Sequence, residues 1–139
     1  MAEQSSDALP PIFGWVTIAA GCFPIAAAIG LLETNPGDAP PAVLSLCGLV
    51  FVVSGLMILL GSKSARLNAA LAAVWLLIMG AVATWVSIIS SPEGFGGGLP
   101  FIPKALNILM GRTVFGIGAL FSFGLAKVAI KQAIAADEA

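Results

Sequence analysis

The charged residues of this chain are spaced so that four long stretches carry none. The stretches cover residues 8–32, 39–62, 67–92 and 113–126. An ionised side chain in the middle of a bilayer costs about 3 kcal/mol or more, and a helical span needs about 20 apolar residues. The spacing therefore predicts an all-α integral membrane protein.

The predicted transmembrane helices occupy about residues 12–32, 42–60, 69–89 and 108–130. The last helix fits only if Lys127 bends its stem toward the lipid headgroups, as long cationic side chains do at helix ends. Spans and short connections use the whole chain, so we expect one membrane domain over residues 1–139. Because the connections are rich in turn-forming residues, they predict an antiparallel four-helix transmembrane bundle.

The basic residues are divided unevenly between the two sides of this predicted bundle. The side that holds the chain termini carries Lys63, Arg66, Lys127 and Lys131, and the other side carries Lys104 and Arg112. Excess Lys and Arg marks the cytoplasmic side, so we expect a bacterial inner (plasma) membrane protein with both termini in the cytoplasm. A dual topology remains an alternative. The first span is expected to be retained rather than cleaved, because no Lys or Arg precedes it.

The composition excludes several kinds of chemistry. The chain has no histidine, which removes His-based triads and imidazole metal ligands. A net charge of −1 argues against a nucleic-acid partner. No charge lies at the centre of a predicted span, so we expect no enzyme and no catalytic, metal-binding or cofactor-binding residues. Cys22 and Cys47 are expected at different depths in the bilayer and therefore as free thiols.

The external loop, residues 90–104, is the least generic segment, since it combines three consecutive glycines with large apolar residues. Two candidate residues, Glu93 and Arg112, belong to this region. In one interpretation Arg112 reaches lipid phosphates and fixes the depth of the last helix. In the other it pairs with Glu93, or with an acidic group of a partner, and holds the loop over the bundle.

Three further residues are candidates for structural or interaction roles. Pro24 should kink the first helix, either as a packing feature or as a hinge. Gly116 and Gly118 belong to a series of small residues along the last helix, which favours close packing with another helix. In addition, Asn68 is expected to cap the third helix.

The two halves of the chain show weak similarity to each other. A shift of 60 residues pairs Trp15 with Trp75, and a shift of 64 pairs Lys63 with Lys127. This pattern favours, as one hypothesis, a duplicated two-helix hairpin.

The sequence predicts association rather than chemistry. We expect a structural or accessory membrane protein that lies in the lipid bilayer and binds another integral membrane protein, or itself, through small-residue helix faces. The alternative is a small channel or transporter that forms its pathway by oligomerisation, with Ser and Thr hydroxyls lining it.

Overall fold

The computed structural model describes residues 10–32, 40–91 and 101–136. Over these residues the chain forms α1 (Pro11–Ala28), α2 (Pro41–Leu60), α3 (Ala65–Ile88) and α4 (Lys104–Ala135), with a 3₁₀ turn, Gly61–Lys63, between α2 and α3. Each of these four helices is long and apolar enough to cross a membrane. The predicted all-α class with four potential spans is therefore confirmed.

The end of α1 lies four residues before the predicted end of the first span. Gly30 has a φ of 77°, in the left-handed region where glycine is favoured. Its N–H donates to Ala27 O at 3.1 Å, and Leu31 N–H donates to Ala26 O at 2.9 Å. These two bonds form a Schellman motif, which satisfies carbonyls at the helix end.

The start of α3 also differs from the sequence-based expectation. The helix is capped by Ser64, whose Oγ accepts a hydrogen bond from Leu67 N at 3.4 Å. The prediction of Asn68 as the cap was wrong, because α3 already begins at Ala65 and Asn68 therefore lies inside its first turn.

Four glycines bring α1 and α2 into backbone contact. Gly14 on α1 faces Gly55 on α2, and Gly21 on α1 faces Gly48 on α2. The two helices therefore run in opposite directions. A Cβ built on Gly21 would lie 2.6 Å from Gly48 O, and one built on Gly48 would lie 2.5 Å from Gly21 O. Only glycine permits this approach, since any side chain would meet the backbone of the neighbouring helix.

This register corrects the depth expected for the cysteines. Because Gly21 faces Gly48, Cys22 and Cys47 lie at the same level rather than several Å apart. Both are free thiols. Cys22 follows Gly21 in α1, and Cys47 precedes Gly48 in α2. Because the two helices run in opposite directions, this order places the two cysteines on opposite sides of the Gly21–Gly48 contact.

A chain of hydrogen bonds joins α2 to α3. Trp75 Nε1 donates to Ser54 Oγ at 2.9 Å, and Ser54 Oγ donates to Val50 O at 2.7 Å. Both side chains are partly buried, so the bond satisfies an indole N–H that would be costly to leave without a partner away from water. It connects the α1–α2 pair to α3.

The contact between α3 and α4 has its own register. Gly80 lies against the ring of Phe123, and Ser87 lies against Gly116. The sequence shifts that suggested duplication would map the Gly21–Gly48 contact onto Ala81 and Arg112. Arg112 instead contacts Ser87, so the contacts do not reproduce the proposed repeat.

The four helices are arranged in chain order. Over the ranges that the structure describes, α1 contacts α2, α2 contacts α3, and α3 contacts α4, while α1 and α4 do not touch. Within these ranges α1 and α4 therefore each have one helix neighbour and present their other faces outward.

Candidate functional site

A polar cluster connects the end of α3 to the third turn of α4. Arg112 Nη2 donates to Ser90 O at 2.8 Å, and Ser87 Oγ donates to Arg112 O at 2.9 Å. Ser90 is buried, and its own Oγ donates to Val86 O at 2.6 Å. Arg112 therefore interacts with α3 through both its guanidinium and its backbone carbonyl.

The position of this guanidinium follows from the ending of α3. A helix leaves its last carbonyls without intrahelical partners, and these carry partial negative charge. Ser90 O lies two residues beyond Ile88, the last residue of α3. This position is just past Ile89, the C-cap of α3. Arg112 thus holds the segment that leaves α3 against the neighbouring helix, with a charge-assisted hydrogen bond that is stronger than a neutral one.

One N–H of the guanidinium has no partner among the described residues. Arg112 Nε is buried and makes no hydrogen bond. An unsatisfied buried donor costs about 1–3 kcal/mol, and more when it is charged. Arg112 Nε is therefore able to donate one further hydrogen bond.

The structure shows a contact of Arg112 that differs from those in the two interpretations, and it tests neither of them. Neither included Ser90 O, which is the contact that the guanidinium makes. Glu93 lies outside the described residues, so its pairing with Arg112 stays a prediction.

Gly116 belongs to the same cluster. A Cβ at this position would lie 3.0 Å from Ser87 Oγ, and residue 116 is one helical turn after Arg112. A side chain here would crowd the hydroxyl that binds Arg112 O. Gly118 is different, because a Cβ at that position would meet nothing within 4 Å.

Pro24 is not part of the cluster. It lies inside α1, one turn after Gly21, and α1 contacts no helix other than α2 in the described part of the chain. The structure therefore brings Arg112 and Gly116 together and leaves Pro24 and Gly118 elsewhere.

Sequence reasoning missed Ser87 and Ser90 as members of this cluster. Ser90 was assigned to the external loop. Ser87, as a hydroxyl inside a span, was expected to bond a helix carbonyl or a neighbouring helix, and its bond to Arg112 O confirms this, but Arg112 was not identified as its partner. The sequence did contain a signal for this cluster. Arg112 lies near the start of the fourth predicted span, and Ser87 and Ser90 lie at the end of the third.

The described residues include no group of three or more His, Cys, Asp or Glu side chains that could hold a metal ion. The cluster consists of a guanidinium, two hydroxyls and carbonyl oxygens that bond to one another, which suits the anchoring of α4 to the end of α3. Comparison of the chain with family models, curated proteins and solved structures gave no match.

Proposed function

We propose that this chain is a structural or accessory integral membrane protein that associates with another membrane protein through α4. The observation that carries the proposal is the position of α4 at one end of the helix row. It contacts α3 and no other helix among the described residues. Its outward positions include Gly118 and Gly124, where a Cβ would meet nothing within 4 Å.

The packing inside the chain supports this use of glycine. Where α1 meets α2 the glycines bring the two backbones together, and Gly80 of α3 leaves space for the ring of Phe123 on α4. Glycine in a membrane helix lets a second helix approach the backbone. Gly118, which is half-buried, and Gly124, which is exposed, leave similar space at positions that no other described helix occupies.

The proposed arrangement is an antiparallel set of four transmembrane helices in a bacterial inner membrane, with both termini in the cytoplasm. The excess of Lys and Arg on the side of the termini supports this orientation. The loop that follows α3 would then face outward and serve as a second contact for the partner.

A small oligomeric channel is the second candidate, and the hydroxyl groups argue against it. Thr17, Thr84 and Thr113 each donate to a carbonyl four residues earlier in their own helix, at 2.7 to 2.8 Å. Because each hydroxyl already donates its hydrogen to a backbone carbonyl, it can only accept a hydrogen bond from a passing solute. A pathway between copies would have few polar groups to replace the hydration of a solute.

Photo-cross-linking in intact membranes tests the proposal. A photoreactive residue is placed at position 118 or 124 of α4, and at Phe23 as a control, because Phe23 is 61% exposed on α1. The proposal predicts a protein adduct from the α4 positions and only lipid adducts from position 23. Lipid adducts at all three positions would contradict it, and a self-adduct together with solute flux in liposomes would favour the channel.

A further inference from the structure

The register between α3 and α4 places Lys127 deeper in the apolar region than its position in the sequence suggests. Gly80 faces Phe123, and Ser87 faces Gly116. In the same register Lys127 is level with Leu76, near the middle of α3. At a rise of 1.5 Å per residue, its Cα lies roughly 16 Å from the level where α3 begins.

The neighbouring helix α2 gives a second measure of this depth. Ser54 is bonded to Trp75, so Leu76 lies within about one helical turn of the level of Val53 on α2. Leu60, the last residue of α2, lies seven residues further along. On this measure Lys127 Cα lies roughly 10 Å inside the apolar part of the chain.

A lysine side chain is too short to extend from this depth to the membrane surface. Its flexible four-carbon stem extends roughly 6 Å. Side chains on a helix also tilt toward the helix N-terminus, which for α4 is away from the nearer membrane surface. Lys131, one turn closer to that surface, reaches the headgroup region more easily. Lys127 is therefore the residue whose charge lacks compensation.

Lys127 is also exposed on the surface of the chain. Ionisable residues within membrane spans almost always face the interior of a bundle or a water-filled cavity, where they are paired. An exposed lysine at this depth indicates that the isolated chain is not the complete packed unit.

The four described helices do not provide a carboxylate at this level. α1, α2, α3 and α4 contain no Asp or Glu, and all seven acidic residues lie in the segments outside them. A second copy has the same helices, so it brings no acidic helix residue to this depth. A lipid phosphate lies at the membrane surface, beyond the reach of the Lys127 stem.

We propose that Lys127 forms an ion pair with an Asp or Glu in a transmembrane helix of a different protein, which packs against the exposed face of α4. This inference rests on the proposed function and identifies the chemistry of the partner. Pairing removes the cost of an isolated charge in the apolar region, and it sets the depth of the partner helix relative to α4.

The test uses the full-length protein in phosphatidylcholine vesicles with two designed transmembrane peptides. One peptide carries a single Glu about 10 Å from the membrane surface, and its twin carries Gln at that position. Energy transfer between labelled protein and peptide measures association. The proposal predicts at least tenfold stronger association for the Glu peptide than for the Gln peptide.

Three variants assign this preference to the residue. Lys127→Gln should abolish it and Lys127→Arg should retain it. Lys63→Gln should also retain it, because it removes the same charge on the same side but at the end of a helix. Circular dichroism checks that each variant is folded.

Three results would overturn the proposal. Equal association of both peptides with the wild type would exclude a carboxylate partner. Equal loss in Lys63→Gln and Lys127→Gln would show a general effect of charge. Retention of phosphatidylglycerol by wild type but not by Lys127→Gln, without a peptide preference, would assign the site to lipid. Cross-links from positions 118 and 124 would still support the proposed association in each of these cases.

Discussion

Substitution of Gly21 by alanine tests whether backbone contact holds α1 against α2. The new Cβ would lie 2.6 Å from Gly48 O and 2.9 Å from Val52 Cγ2. A backbone carbonyl does not move aside as a flexible side chain does. The helices must therefore separate at this point by roughly 0.8 Å to restore ordinary contact, which begins at 3.4 Å.

The expected magnitude combines two opposing effects. Overpacking of a close contact costs about 1–3 kcal/mol. Alanine in a helix interior recovers roughly 0.5–1 kcal/mol relative to glycine. We therefore expect Gly21→Ala to lower the free energy of unfolding by about 1–2 kcal/mol.

The assay is reversible unfolding of the isolated chain in mixed micelles, followed by tryptophan fluorescence and circular dichroism. Gly118→Ala is the matched control, because its Cβ would meet nothing within 4 Å. It should leave the chain equally stable or slightly more stable. If Gly21→Ala is as stable as Gly118→Ala, the glycine contact does not hold the helices together.

Three further changes test other parts of the structure. Trp75→Phe removes the hydrogen bond to Ser54 and should cost roughly 0.6 kcal/mol, measured by the same unfolding assay; an unchanged stability would mean that the bond contributes nothing. Gly30→Ala places an L side chain at a positive φ and should cost about 1 kcal/mol, seen as faster hydrogen exchange at the end of α1 only. Arg112→Leu should speed exchange at the end of α3 by removing a charged hydrogen bond worth about 1.5–3 kcal/mol. If Glu93 also pairs with Arg112, Glu93→Gln added to Arg112→Leu should have no further effect.

The number of helices and their approximate positions could be predicted from the sequence, because the cost of a buried charge is a local property. The end of α1 was harder to predict. Gly30 ends the helix by adopting a positive φ. Because Leu31 and Leu32 are also uncharged, a method that counts charges extends the span past this point.

The contacts between helices could not be predicted in the same way. The sequence directed attention to the small residues of the last helix, whereas the closest glycine contacts join α1 to α2. There Gly14 meets Gly55 and Gly21 meets Gly48, so the packing glycines are seven positions apart in each helix. The register between two helices depends on which side chains and glycines meet, and a single helix's periodicity does not contain that information.

Lys127 shows the consequence for the candidate site. The sequence-based prediction placed Lys127 inside the last span, close to its end at residue 130, and brought its charge to the headgroups by bending the stem, which left the centre of every span without charge. The contacts of Gly80 and Ser87 with α4 place the same residue near the level of mid-α3. A charge first expected at the headgroups thus became evidence for a partner.

Native mass spectrometry of the protein extracted from its membrane in mild detergent tests directly whether the chain holds a different protein through Lys127. We expect a complex of this chain with a second, different protein, and loss of that protein in Lys127→Gln but not in Lys63→Gln. Recovery of the wild-type chain only as a monomer, or only as copies of itself, would contradict the proposed association.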